Sequence, residues 1–186
     1  MFSVKSVKNL LYPAVEINNR YIMEWCKWVL EKCNIHAWRS EMEMIPTGVA
    51  LRKRNVFLGG STCPVCNSAD ESTDHLFNAC FVVANVWNGV SAWCKIPNFF
   101  AFSIKDLLDM FKLINVSEKI KEVIHGIVVI VCWSLWRARN NWVFSSIPIK
   151  IDKIISEVKS LGFLWYSNRS KNKDIVWRDW VSFDFM

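Results

Sequence analysis

The amino-acid sequence predicts a mainly α-helical protein with few or no strands. Apolar residues recur three and four positions apart along most of the 186-residue chain, whereas the alternation of a half-buried strand is rare. The prolines, at positions 13, 46, 64, 97 and 148, fall between those periodic segments. Hydrophobic residues make up 52% and charged residues 22%, a globular balance that excludes wholesale disorder. With 6 Gly and 5 Pro, collagen-like and linker-like sequence is excluded as well.

The elements follow in order. Residues 1–12 suggest a short strand and a turn of helix, broken at Pro13. Ile22, Trp25, Cys26, Val29 and Cys33 share helical spacing, and Ile35, Trp38, Met42 and Ile45 extend the stripe to Pro46. Val49 to Arg54 predicts a short basic helix, and Gly59-Gly60-Ser61 a turn. Val83, Val86, Trp87, Val90, Trp93 and Cys94 form an apolar helical face that ends before Pro97. Residues 98–104 read as an aromatic linker, and Asp106 to Ile114 as a helix. Ser117 followed by Glu118 predicts the start of the most apolar helix, running to about Asn140. Beyond Pro148, Ile151, Ile154, Ile155, Val158, Leu161 and Trp165 predict a last amphipathic helix. The polar loop 168–173 and a tail with Trp177 and Trp180 close the chain.

One constellation carries chemistry. Cys63, Cys66, His75 and Cys80 form the pattern C-x2-C-x8-H-x4-C. Thiolates and imidazole are the donors zinc prefers, and two cysteines two residues apart on a tight turn can face one ion. His75 is expected in the first turn of a helix begun at Ser72 or Thr73, with Cys80 near its end. Four protein ligands make a closed site with no position left for water, so one structural Zn2+ is expected and metal catalysis is not. This divides the chain into a zinc-stabilised helical domain, 1–97, and a helical C-terminal unit, 98–186, with no flexible linker between them. Cys26, Cys33, Cys94 and Cys132 fall on apolar faces and are expected in the core.

Other classes are disfavoured. The uncharged stretch between Glu122 and Arg137 is 14 residues, short of a membrane span of about 20. The N-terminus has no apolar signal region, so an intracellular, reducing compartment is expected. Zinc deaminases need H-x-E and P-C-x-x-C, but Trp38 stands where the Glu would be and Pro64 follows Cys63. His36 and His125 lie on apolar stripes without a catalytic partner. No triad, Gly-rich phosphate loop or paired-carboxylate motif stands out, and no enzyme activity is expected of the chain.

Several short motifs occur in a familiar order. They are Phe2-Ser3-Val4-Lys5-Ser6; Trp25, Trp28 and Asn34 to Arg39; Ile45-Pro46-Thr47 with Leu51-x-x-Arg54; Cys63, Cys66, Asp74-His75-Leu76-Phe77 and Cys80; Trp87; and Trp133 with Trp136-Arg137-Ala138-Arg139-Asn140. Together they resemble the reverse-transcriptase zinc-binding domain of plant non-LTR (LINE-type) retrotransposons. The resemblance implies a domain at the C-terminal end of a larger polyprotein with an endonuclease and a polymerase upstream. It also implies a nuclear setting and RNA or DNA as partner, with docking on the polymerase core as the alternative. The chain contains no Asp-Asp pair of the polymerase palm, so it reads as a fragment without the catalytic core.

The formal charge of +6 suits an anionic partner. Arg52, Lys53 and Arg54 before the zinc turn, and Arg137 and Arg139 around the later tryptophans, are the candidate nucleic-acid contacts, with Arg169, Lys171 and Lys173 as a further cluster. Phosphate contacts of this kind weaken with salt. Trp25, Trp38, Trp87, Trp93 and Trp133 are expected in the core, and Trp177 and Trp180 are the candidates for base stacking. An exposed apolar patch around Trp87 to Trp93 or along 123–136 would favour protein docking.

Overall fold

The structure is a computed structural model and describes residues 22–56, 59–98, 101–171 and 174–184. The predicted N-terminal strand, the Phe2–Ser6 motif and Lys173 lie outside the described residues. The described chain is mainly helical and without strands; its one extended pairing is the isolated bridge Thr62–Asp70. No described helix is long and apolar enough to cross a membrane.

The central element is α5, Glu118–Ser145, by our numbering the fifth α-helix. Ser117 caps it by accepting the Ile120 amide, and Ser146 closes it in a left-handed conformation. Every residue from Val123 to Cys132 is buried, so this helix is apolar on all sides at mid-length. That is tolerated because neighbours surround it: α1 (Glu31–Glu41), α4 (Ile104–Asp109) with the 3-10 turn Met110–Lys112, and α6 (Ile151–Arg169). Helix α3 (Phe81–Cys94) packs on α6 in turn, and the short α7 (Trp177–Ser182) lies against α6. The small α2 (Gly48–Lys53), capped by Thr47, precedes the zinc-type loop. One buried cluster draws side chains from Cys26 through Phe183, so both halves of the chain contribute to the same core.

Two aromatic expectations are corrected. Trp180 is fully buried: its ring stacks on Tyr166 at 5.6 Å, meets Trp93 edge-on at 5.6 Å, and donates to the Lys159 carbonyl at 2.8 Å. It is a packing residue, because α7 turns it inward onto α6. Trp25 is 49% exposed, not in the core. The predicted helix over 22–33 does not form before Glu31. The Asn34 side chain clamps both backbone groups of Cys26, accepting its N–H at 3.0 Å and donating to its carbonyl at 3.0 Å. This removes Cys26 from any helical ladder. The buried face of α1 is therefore Cys33, Asn34, His36, Ala37 and Ser40, while Ile35 is exposed. Trp28 takes the space against Gly126, where a Cβ would stand 2.0 Å from the indole, and donates to the Glu122 carbonyl.

Trp87, Trp93 and the 123–132 run are buried, so the patches that would have signalled docking belong to the core. Cys26, Cys33, Cys94 and Cys132 are buried as expected. His36 and His125 are buried too, His36 edge-on to Phe77 and Trp133 and His125 stacked 4.2 Å from Phe111. Burial disfavours the imidazolium and lowers each to about 4, with Arg39 adding to the effect at His36 and Lys112 at His125. The unfolded chain binds protons at these sites near pH 6.5, before the folded chain does. The stability they contribute is thus present above about 6.5 and lost as pH falls toward 4. Chemical unfolding of a His36→Phe/His125→Phe variant should show a shallower loss of stability across that window than the unaltered protein, at the same zinc concentration. Equal slopes would contradict this.

Candidate metal centre

The four candidate ligands converge from two local structures. The first is a tight loop. Cys63 receives the Asn67 amide on its carbonyl at 2.9 Å, and its own N–H donates to the Ala69 carbonyl at 2.7 Å. Asn67 takes the left-handed conformation, φ 54°, that lets the chain reverse. Cys63 and Cys66 thereby sit at one end of the loop, and the Val65 and Cys66 amides hydrogen-bond the Cys63 sulfur.

The second is a helical turn begun at Ser72, whose hydroxyl accepts the His75 amide at 3.0 Å, as the sequence predicts. It then widens: residues His75–Ala79 form a π turn, closed by the Cys80 amide on the His75 carbonyl at 2.9 Å. In an α-helix, residues five apart point roughly 140° away from each other. The wider π turn brings the fifth residue back over the first. This is why an x4 spacing serves two ligands of one ion. Cys80 is also the N-cap of α3, and the Val82 and Val83 amides at the start of that helix lower its thiol. The positive end of that helix supports a thiolate there.

The three sulfurs and one imidazole nitrogen lie within 4.8 Å of one another. Cys66 Sγ is 3.2 Å from His75 Nε2, so Nε2 is the nitrogen presented. The hydroxyl of Ser68 lies 3.0 Å from the Cys66 sulfur. Cys63 and Cys80 are fully buried, and His75 nearly so. A hydrogen bond between Cys63 and Cys80 raises the Cys63 thiol and lowers that of Cys80, with burial raising both. Donor type, number, convergence and the amides aimed at sulfur all fit zinc in a closed Cys3His set.

The site is tied to the long helix by a buried ion pair that the sequence did not signal. Glu71, 1% exposed, accepts Arg139 Nε and Nη2, each at 2.6 Å. Its Oε2 also accepts the Gly48 amide at 2.8 Å, and its carbonyl accepts the Val49 amide at 3.1 Å. One carboxylate thus joins the start of α2, the metal loop and α5. Trp142 adds a second tie, donating to the Pro64 carbonyl at 2.8 Å.

The candidate nucleic-acid contacts divide accordingly. Arg139 is corrected: it is buried, its guanidinium spent on Glu71 and packed 5.3 Å over Trp136, and it presents nothing to a phosphate. Arg52, Lys53, Arg54 and Arg137 are exposed but have internal partners. Arg52 pairs with Asp70 and Ser61, Lys53 with Glu43, Arg137 with Glu157, and Arg54 donates to the Met44 carbonyl. Exposed pairs of this kind are weak and exchange readily with an external anion.

Fold and site together define a helical protein with a closed, structural-type Cys3His centre. Residues 2–87 match the family described as zinc-binding in reverse transcriptase, and all four candidate ligands fall within the matched segment. No curated protein and no solved structure matches the chain.

Proposed function

We propose that this chain is a zinc-built, non-catalytic module of a retrotransposon reverse transcriptase of the plant non-LTR type. It holds RNA or DNA for a polymerase core located elsewhere in the element, in the nucleus. One structural zinc at Cys63, Cys66, His75 and Cys80 fixes the loop against which α2, with Arg52 to Arg54 at its end, is held. The observation that carries the reading is the closed Cys3His cluster inside the segment matching the reverse-transcriptase zinc family. The charge of +6 supports an anionic partner.

The test is fluorescence anisotropy of labelled single-stranded and duplex oligonucleotides with the zinc-loaded chain. Binding should weaken as salt rises, with a linear log–log dependence. No binding to any oligonucleotide at low salt would overturn the reading.

A second reading, docking on the polymerase core, is favoured by a different observation. Phe81, Trp142, Val143, Phe144 and Ile147 are exposed apolar side chains, several of them consecutive at the end of α5.

A further inference from the structure

We propose that a single-stranded nucleic acid is held at a groove between the C-terminal end of α5 and the start of α6. Its phosphates lie along Arg137, Lys150 and Lys153, and a base packs on Phe144. This rests on the nucleic-acid reading above and locates its main contact, adding Lys150, Lys153 and Phe144 to the candidate Arg137.

Charge is the first ground. The groove is lined by Arg137, Lys150 and Lys153 against one acid, Glu157, and the rest of its lining is Asn141 and apolar side chains such as Ile147 and Pro148. Among the described residues, no ion pair or hydrogen bond engages the Lys150 or Lys153 side chain, whereas Arg52, Lys53 and Arg139 each hold an internal carboxylate. Glu157 is already occupied, accepting both Arg137 and Ser134. An arriving phosphate therefore meets two uncommitted ammonium groups and breaks no existing pair to reach them.

Shape is the second ground. The cavity is about 40 Å3, on the order of the room one water occupies. That excludes an enclosed nucleoside, so the cations on its rim can take phosphates only at the surface. Beside the groove, Phe144 is 78% exposed at the end of a helix. It shares a face with Arg137 and Asn141, because positions seven and three residues apart fall on the same side of a helix. A large bare aromatic ring in line with cations is the combination that holds unpaired bases: cations take the backbone, and the ring takes a π-face. A duplex keeps its bases stacked inside and gains nothing from Phe144.

The experiment compares the zinc-loaded full chain with three variants, Lys150→Ala/Lys153→Ala, Phe144→Ala and Arg52→Ala/Lys53→Ala/Arg54→Ala. Each is titrated against a labelled 20-nucleotide single strand, as RNA and as DNA, across a salt series. All substituted side chains are exposed, and thermal unfolding checks that the fold is kept. The lysine variant should bind about tenfold more weakly. Its salt slope should be smaller by about 1.4, at roughly 0.7 for each of two phosphates no longer neutralised. Phe144→Ala should weaken binding severalfold with the slope unchanged, and more for single strands than for a duplex. The arginine-patch variant should lose less than the lysine variant. If the unaltered chain binds and the lysine variant matches it in affinity and slope, the groove is not the site, while the nucleic-acid reading stands. If the unaltered chain binds no oligonucleotide, both fall. Sedimentation showing a dimer abolished by Phe144→Ala would then assign this face to a second copy of the chain.

Discussion

Replacing Cys63 and Cys66 by serine should abolish zinc binding and, with it, the cooperative fold. The unaltered chain should carry one zinc by elemental mass spectrometry, and the variant none. Zinc binding in small modules contributes on the order of 10–16 kcal/mol, and a whole domain is stable by only about 5–15 kcal/mol. The effect should be large because the zinc ties the loop to the π turn, whereas the Glu71–Arg139 pair holds only the loop's far end. The loop's one extended pairing is the Thr62–Asp70 bridge, and its tip is anchored by Trp142 on Pro64. Loss reaches further than the loop, since Cys80 starts α3 and Leu76 and Phe77 of the π turn are core residues. Circular dichroism should show reduced helix and an early, broad thermal transition. A variant without zinc that keeps the full helical signal and melting temperature would show the metal to be dispensable for the fold.

Glu71→Gln and Arg139→Met should each destabilise the protein by about 3–5 kcal/mol, the cost of leaving one member of a buried pair uncompensated. Glu71 stands to lose more than the arginine, because its carboxylate also accepts the Gly48 amide where α2 begins. The double variant Glu71→Gln/Arg139→Met should cost less than the sum of the two, because neither then leaves a buried charge alone. Urea unfolding of the four proteins, zinc-loaded, measures the cycle. Additive losses would mean that the two side chains act independently, against the geometry of two 2.6 Å hydrogen bonds. Zinc affinity should also fall in Arg139→Met, although Arg139 touches no ligand, because Glu71 holds the backbone on which the loop is built.

What the sequence disclosed follows from what is local. The ligand set was legible because C-x2-C and a histidine near a cysteine are short-range patterns tied to one ion's geometry. Helices α3, α5 and α6 were legible because their apolar spacing spans several turns. The faces of α1 were not, since a single asparagine, Asn34, redirects the chain at Cys26 and no periodicity reveals a side chain bonded to backbone eight residues away. The π turn is encoded only indirectly, by an x4 spacing that an α-helix would not satisfy. The Glu71–Arg139 pair spans 68 residues, and nothing marks that glutamate among its polar neighbours. For the same reason Arg139 read as a surface cation. Trp180 misled because its neighbours are polar, while its burial is decided by the α7–α6 packing. Lys150 and Lys153 gave no signal because the groove they line is completed by Arg137, from another helix.

The most direct measurement of the central claim is zinc K-edge X-ray absorption on the purified full chain. A closed Cys3His centre predicts three sulfur neighbours at about 2.3 Å and one nitrogen at about 2.0–2.1 Å, with no oxygen. A bound water, fewer than three sulfurs, or a folded protein with no zinc would contradict it.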